Sequence, residues 1–393
     1  MSARALLTAL FAYFSLYAPQ PLLPRFAESL AVTESQIALL MSATLLPLGV
    51  APLAYGAVLS RVSSARVLQF GTAGLGIAAL VFAAVPSFPV MLGARLVQGL
   101  LLPAVMTALM TAVAGGVSAE RLQRVMSAYV AATIVGGFGG RLLAGGIATW
   151  WDWRAFFVAM GLALIATGVW WRRAPRVAPA HRALPTMRAV RELWTEAGNG
   201  YLFSAIFCLF FVFVGLLNYL PFRVTQLSPQ ASELDISLLY AGYLMGIVSA
   251  LAAHRVIRAL GGRARAVTLG YAVYVLALAG TLVANLTLLF VVIFVFCGGM
   301  FLVHSIASAQ VNRSESPHRG LINGLYVSAY YLGGVLGSYV PGLIYERWGW
   351  GPTIAGIGVV GLLGLTLAWR HGRIAPGATD SAMSAAPAQG RTR

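Results

Sequence analysis

The chain contains no lysine: all 27 of its basic residues are arginine, set against 11 acidic ones. That absence removes the phosphate-loop lysine of nucleotide-driven pumps and any Schiff-base nucleophile. Cysteine is almost missing too. Cys208 and Cys297 both fall inside apolar runs, which excludes a paired-cysteine metal site and suits small packing residues better than a disulfide. The five histidines are scattered and neither a GxSxG nor an HExxH pattern occurs, so no metal, cofactor or catalytic residue is expected, nor is enzyme activity. The glycine-rich GGFGGR at 136–141 lies within an apolar run and follows no strand, so it is not a nucleotide loop. Carboxylates are scarce where they would matter most. Glu28, Glu34, Glu120, Asp152, Glu192, Glu196, Glu233, Asp235, Glu315, Glu346 and Asp380 all lie at run ends, in connections or in the tail. No acid sits deep in a run, where proton-driven carriers place their relay.

Apolar residues make up 59% of the chain and charged ones 10%, and the mean hydropathy is +0.81. Runs of bilayer length recur at 5–26, 35–59, 67–86, 89–114, 122–148, 155–171, 200–222, 235–253, 265–284, 286–310, 320–344 and 352–369. Backbone groups in lipid must bond within their own segment, and these runs lack the strict alternation of barrel strands, so twelve transmembrane helices are expected. With the N-terminus inside, 21 arginines fall in inner segments and four (Arg25, Arg154, Arg223, Arg347) in outer ones. The bias predicts both termini in the cytoplasm. Because the positive charge alternates loop by loop, it forms no nucleic-acid patch. The first run continues through Pro19, Pro21 and Pro24 with no small-residue cleavage pattern, and it reads as a retained helix.

The first half of the chain returns faintly 197 residues later: Tyr129 falls on Tyr326, Gly136 on Gly333, Gly140 on Gly337, Gly145 on Gly342, Trp151 on Trp348 and Trp153 on Trp350. A single offset across several runs and their loops predicts two parallel six-helix bundles around a shared axis. The expected division is 1–171 for the first bundle, 172–198 for an arginine- and proline-rich cytoplasmic linker with a short surface helix near 186–196, 199–370 for the second bundle, and a disordered tail at 371–393.

Arginine inside a span is costly and rarely idle. Arg95 lies in the fourth span and Arg141 near the outer end of the fifth. Arg95 either ties to helix carbonyls and Gln98 or faces a cavity. Arg141 either snorkels outward, pairs with Asp152, or attracts an anionic substrate group or coupling carboxylate. His304, in the tenth span, is the titratable group well inside a span, with Glu28 and Asp152 as outer alternatives for proton coupling. Tyr17, Gln20, Asn218, Tyr219, Asn323, Tyr326 and Tyr330 supply polar and aromatic groups for a cavity or for the membrane interface. Gly136, Gly137, Gly140, Gly333, Gly334 and Gly337 repeat at helical spacing, which predicts close helix approach and a seam able to rock.

These residues resemble the major facilitator superfamily over positions 4–370. RLVQG at 95–99 is similar to the fourth-helix signature of its drug:proton antiporter branch. GAVLSRVSSAR at 56–66 resembles its second–third loop motif: Gly56 and Arg61 match, Ser60 replaces the aspartate, Ser63 replaces the second glycine, and Arg66 lies slightly beyond the basic position. The fifth-helix antiporter signature is replaced by GGFGGRLLAGG followed by WDWR. With LYAPQPLLP in the first helix and YYLGGVLGS in the eleventh, the pattern resembles bacterial inner-membrane exporters. The resemblance implies a monomeric carrier working by alternating access, with a small-molecule substrate, protons as coupling ion, the lipid bilayer as its surroundings, and Gly56, Arg61 and Arg66 in gating. The leading expectation is proton-coupled efflux of a small organic or drug-like compound. The alternatives are an importer or uniporter of a small organic anion, and a transport-dead membrane sensor.

Overall fold

The computed structural model describes residues 2–59, 62–114, 119–173, 186–312 and 319–374, and every regular element in them is a helix. The first half holds α1 (Ala3–Leu30), α2 (Glu34–Leu59), α3 (Ser64–Ala84), α4 (Phe88–Ala114), α5 (Ala119–Trp150) and α6 (Trp153–Trp171). The second holds α7 (Asn199–Leu227), α8 (Glu233–Ala259), α9 (Arg263–Gly280), α10 (Leu286–Asn312), α11 (Arg319–Trp348) and α12 (Trp350–Ile374). Eleven of these are long and apolar enough to cross a bilayer. The remaining helix, α9, is 18 residues long and opens on Arg263 and Arg265, which dilute its apolar character. Most helices outrun the apolar stretch that announced them, because their polar end turns stay hydrogen-bonded beyond the hydrocarbon layer.

Between the halves, residues 174–185 of the linker lie outside the described residues, and the amphipathic helix Met187–Thr195 begins where the Thr186 hydroxyl accepts from the Ala189 N–H. At the other boundary α12 runs on to Ile374 instead of stopping at 370. His371 is buried, its Nδ1 bonds to the Gly198 carbonyl at 3.1 Å, and Arg373 lies over the Trp369 ring at 4.0 Å, so the last turn is anchored. Residues 375–393 lie outside the described residues.

Two bundle helices are broken, for local reasons that matter at the centre of the molecule. Helix α1 is regular to Tyr17, turns through a 3₁₀ segment at Gln20–Leu22, and resumes at Leu23. Pro19 and Pro21 have no N–H to give the carbonyls of Ser15 and Tyr17, so the α ladder cannot continue. Helix α8 passes through a 3₁₀ segment at Tyr240–Leu244, where Gly242 lets its backbone press on Ile293 and Cys297 of α10.

Within the first half, α3 packs on α4 and α6, α2 on α4, and α1 on α5; within the second, α7 packs on α11 and α12, and α10 on α8 and α9. Across the halves, α2 packs on α11 and α5 on α8. Polar clasps join the halves at the end remote from the termini. Arg25 and Glu233 form an ion pair at 2.8 Å, Thr149 bonds to the same carboxylate at 3.4 Å, and the Leu234 N–H donates to the Thr149 hydroxyl at 3.0 Å. The Ser237 hydroxyl donates to the Arg141 carbonyl at 3.0 Å. On the opposite flank, Glu346 accepts from the Ser35 N–H at 2.8 Å, placing a carboxylate at the positive end of α2.

The glycine stripes divide between two jobs. Gly136 and Gly140 admit Tyr13, Leu10 and Phe14 of α1, and Gly333 and Gly337 admit the Phe207 and Phe211 carbonyls of α7, so these seams lie inside each half. Gly145 instead faces the other half, where a Cβ would run into Ser237 and the Glu233 carbonyl. Overpacking such a contact costs about 1–3 kcal/mol. Gly145→Leu is therefore expected to part α5 from α8 at the clasped end. In that background, a cysteine placed at Ser237 should react with a membrane-impermeant maleimide roughly ten-fold faster than with Gly145 intact. Equal labelling rates would mean that the contact does not hold the halves together. Gly337→Val should lower thermal stability in detergent instead, because its seam is internal to one half.

Candidate functional site

The two helix breaks meet at Arg141, a residue with no solvent exposure. Its Nε donates to Gln20 Oε1 at 2.7 Å, one terminal nitrogen to the Gly137 carbonyl at 2.6 Å, and the other to the Tyr243 hydroxyl at 2.9 Å. Three rings surround the guanidinium: Tyr17, Tyr240 and Tyr243, with centroids 4.2, 4.8 and 4.1 Å from its carbon. Their negative faces offset part of the cost of burying a cation. None of these partners is a carboxylate. Asp152, the acid nearest in sequence, caps α6 and pairs with Arg154 at 3.1 Å. The backbone bond from Arg154 holds the Asp152 carboxyl below the usual carboxylate range. Arg141 thus neither snorkels outward nor pairs with Asp152.

Because a guanidinium can only donate, it sets the direction of a chain of bonds that crosses the molecule. Gln20 receives at Oε1 and therefore donates from Nε2 to Asn218 Oδ1 at 2.5 Å. Asn218 Nδ2 donates to the Ser338 hydroxyl at 2.6 Å, and that hydroxyl donates to the Ala38 carbonyl at 2.9 Å. The Tyr219 hydroxyl bonds to the Ser338 carbonyl at 2.8 Å. The relay runs from α5 to α1, α7, α11 and back to α2. Arg141 and Ser338 hold equivalent positions in the 197-residue repeat, and the fold joins them through Gln20 and Asn218.

On the terminal side of this polar layer lies a cavity of about 320 Å³, bordered by α1, α5, α8, α10 and α11. Seven of its sixteen lining residues are Tyr or Phe, and none is Asp, Glu, Lys or Arg. Tyr17 and Tyr243 form its roof and separate it from Arg141. His304 is on the wall, with Nδ1 3.0 Å from the Tyr326 hydroxyl and its ring 4.8 Å from that of Tyr330. Tyr330 in turn stacks on Phe210 at 3.6 Å.

The residues singled out from sequence separate into distinct places. Tyr17, Tyr326, Tyr330 and His304 line the cavity, while Arg141, Gln20, Asn218 and Tyr219 form the layer above it. Arg95 and Gln98 lie elsewhere, inside the first half. Arg95 donates to the carbonyls of Ser15 at 2.6 Å, Leu16 at 2.7 Å and Leu40 at 3.0 Å, and to Gln98 Oε1 at 2.8 Å. The Ser15 carbonyl is the one orphaned by Pro19, so Arg95 repairs the break in α1. Asn323 is half-buried near the terminal end of α11 and outside the cavity lining. Arg66 is exposed in the first turn of α3; Arg61 and the surroundings of Gly56 lie outside the described residues. Tyr13, Tyr240, Tyr243, Phe301, Tyr331 and Ser338 were missed. The i,i+4 spacing of Tyr13 with Tyr17 and the i,i+3 spacing of Tyr240 with Tyr243 were available signals.

Comparison with known proteins agrees with this architecture. A sequence model of the Major Facilitator Superfamily matches residues 5–314 and 225–389. The chain is 27% identical over 383 residues to the Inner membrane transport protein YnfM of Escherichia coli (strain K12), covering 94% of this chain and 90% of that one. It is 28% identical over 363 residues to the Multidrug efflux protein YfmO of Bacillus subtilis (strain 168), covering 89% and 88%. Among solved structures, an inward-facing, occupied bacterial homolog of the human lysosomal transporter Spinster superposes with a TM-score of 0.72 at 13% identity, covering 95% of this chain and 91% of that one. The chain is therefore a multi-pass protein of the bacterial inner membrane, and it belongs to the Major Facilitator Superfamily, whose members are transporters and not enzymes.

Proposed function

We propose that this chain is a monomeric secondary transporter that exports a small organic compound in exchange for protons, by alternating access through the tyrosine-lined cavity. The observation behind this reading is the asymmetry of the interface between halves. Polar clasps and the Arg141 relay join the two sides at one end, and a cavity occupies the other. The arginine distribution supports cytoplasmic termini, and with that orientation the cavity faces inward in this state. Bundles 1–171 and 199–370 would then move as two bodies about the 172–198 linker, with the clasps opening as the cavity closes. The relation to a protein named for multidrug efflux favours export.

His304 is the group assigned to proton exchange: it borders the cavity, and its imidazole can take or give a proton at Nδ1, 3.0 Å from the Tyr326 hydroxyl. The rings and hydroxyls facing it are those of Tyr326 and Tyr330, and the cavity lining includes no acid. That lack of a carboxylate favours a second reading, uptake or downhill passage without protons. Proteoliposomes loaded with a pH dye separate the two. A transported compound should move protons with intact His304. His304→Gln should abolish that proton movement yet keep exchange of labelled compound across the membrane at zero gradient. Proton movement that persists in His304→Gln would remove the histidine from the cycle, and none with the parent protein would establish the second reading.

Arg141 touches Gln20 of the first half and Tyr243 of the second, so its bonds must rearrange whenever the halves part. Truncating one member of such a buried network costs about 3–5 kcal/mol. Arg141→Ala is expected to slow transport by about a hundred-fold or more, with membrane insertion and elution as a single species retained. An unchanged rate in that variant would reduce Arg141 to a packing role.

A further inference from the structure

Resting on the reading of the cavity as the transport site, we propose that its substrate is a planar aromatic monoanion, such as an aryl carboxylate. The ring would lie among the cavity tyrosines and Phe301, with the charged end turned toward Arg141. The first argument is charge. Arg141 has no solvent exposure, and its hydrogen-bond partners are an amide, a carbonyl and a phenol. Glu233, the carboxylate that clasps α5 about two turns further on through Thr149, is already paired with Arg25 at 2.8 Å. The guanidinium therefore projects an unopposed positive field onto the cavity roof, in a place of low dielectric. A cationic guest about 8 Å away would be disfavoured roughly thirty-fold at an effective dielectric constant near 20, and an anion favoured by a like factor. Without Asp or Glu among the lining residues, nothing local reverses that preference.

The second argument is hydrogen bonding. Tyr17, Tyr330 and Tyr331 line the cavity, and their hydroxyls have no hydrogen-bond partner among the described residues. The other phenols here are engaged: Tyr326 with His304, Tyr243 with Arg141, and Tyr13 with Tyr129. Three unengaged phenolic donors beneath a buried cation can bind a carboxylate, because phenol O–H groups form short, charge-assisted bonds to anions. The third argument is shape. Tyr243 and Phe301 meet edge to face, with centroids 5.5 Å apart, and Tyr330 is fixed against Phe210, so the walls are ring faces and edges held in place. A flat aromatic body gains offset-stacked and edge contacts there that a flexible alkyl chain does not.

Three isosteric probes test this on the purified full-length protein in detergent: naphthoate, naphthamide and naphthylmethylammonium, with binding followed by equilibrium dialysis at neutral pH. Naphthoate should bind saturably and at least about ten-fold more tightly than the amide, with the ammonium compound weakest. Arg141→Gln should erase the preference for naphthoate over the amide. Tyr330→Phe and Tyr331→Phe remove only hydroxyls without a protein partner, so they should fold normally. Each should weaken naphthoate about ten-fold with little change for the amide, the effect of losing one charge-assisted bond. The proposal is overturned if naphthoate fails to bind, if the amide or the ammonium compound binds as well as naphthoate, or if both tyrosine variants leave its affinity unchanged. Charge-selective binding without passage of naphthoate across proteoliposomes would uphold the anion site and refute the transport reading. Passage of other compounds without any anion preference would do the reverse.

Discussion

A guanidinium taken out of water needs a partner at each of its three nitrogens, or its burial is strongly unfavourable. Arg141 meets that requirement without a carboxylate, using an amide, a backbone carbonyl, a phenol and three ring faces. Much of the centre of the molecule follows from this choice. Gln20 must present its oxygen to the arginine, which turns its nitrogen toward Asn218, which then orients Ser338. Helix α1 must break where it does for Gln20 to reach, and α8 must unwind into a 3₁₀ segment where Tyr240 and Tyr243 face the cation. Neutral partners leave the charge itself unopposed, so the polar layer both fastens the halves and electrifies the cavity below it.

Arg95 shows the same chemistry put to a different use. It too is buried and donates in several directions, but three of its acceptors are backbone carbonyls of α1 and α2. Proline in α1 removes an N–H, and Arg95 supplies the missing donor from a neighbouring helix. One arginine thus makes a helix break tolerable within a half, and the other exploits that break to bind the two halves to each other.

The interface between halves is built from contacts of unequal strength. Intra-bundle seams at Gly136, Gly140, Gly333 and Gly337 bring backbones together without intervening side chains. Such packing resists sliding. The inter-bundle clasps are instead few, polar and partly exposed: Arg25 and Glu233 retain 39% and 22% side-chain exposure. Exposed pairs of this kind are individually weak. Rigid halves with a releasable join suit a rocking mechanism better than a single fused bundle would.

Length and apolarity of the runs, the arginine bias and the 197-residue echo were enough to establish an all-helical, two-bundle membrane protein, because lipid leaves the backbone no alternative to helices and duplication leaves a linear trace. The α9 helix was legible in the sequence as a helix although arginines dilute its first turn, whereas the extension of α12 to Ile374 was not, since it depends on His371 reaching Gly198. Of the site, sequence alone named Arg141, Gln20, Asn218 and His304, because polar residues in apolar runs stand out. It could not distinguish Arg95 as a repair from Arg141 as a hub, nor identify Tyr243, Tyr331 and Ser338 as their neighbours. Those distinctions depend on which helices touch, and contacts between residues some 200 positions apart leave no mark in local periodicity. What the sequence determined was the number and nature of the helices. Only the tertiary structure decided which buried charge faces the cavity and which end of the molecule is closed, because both are properties of packing between halves.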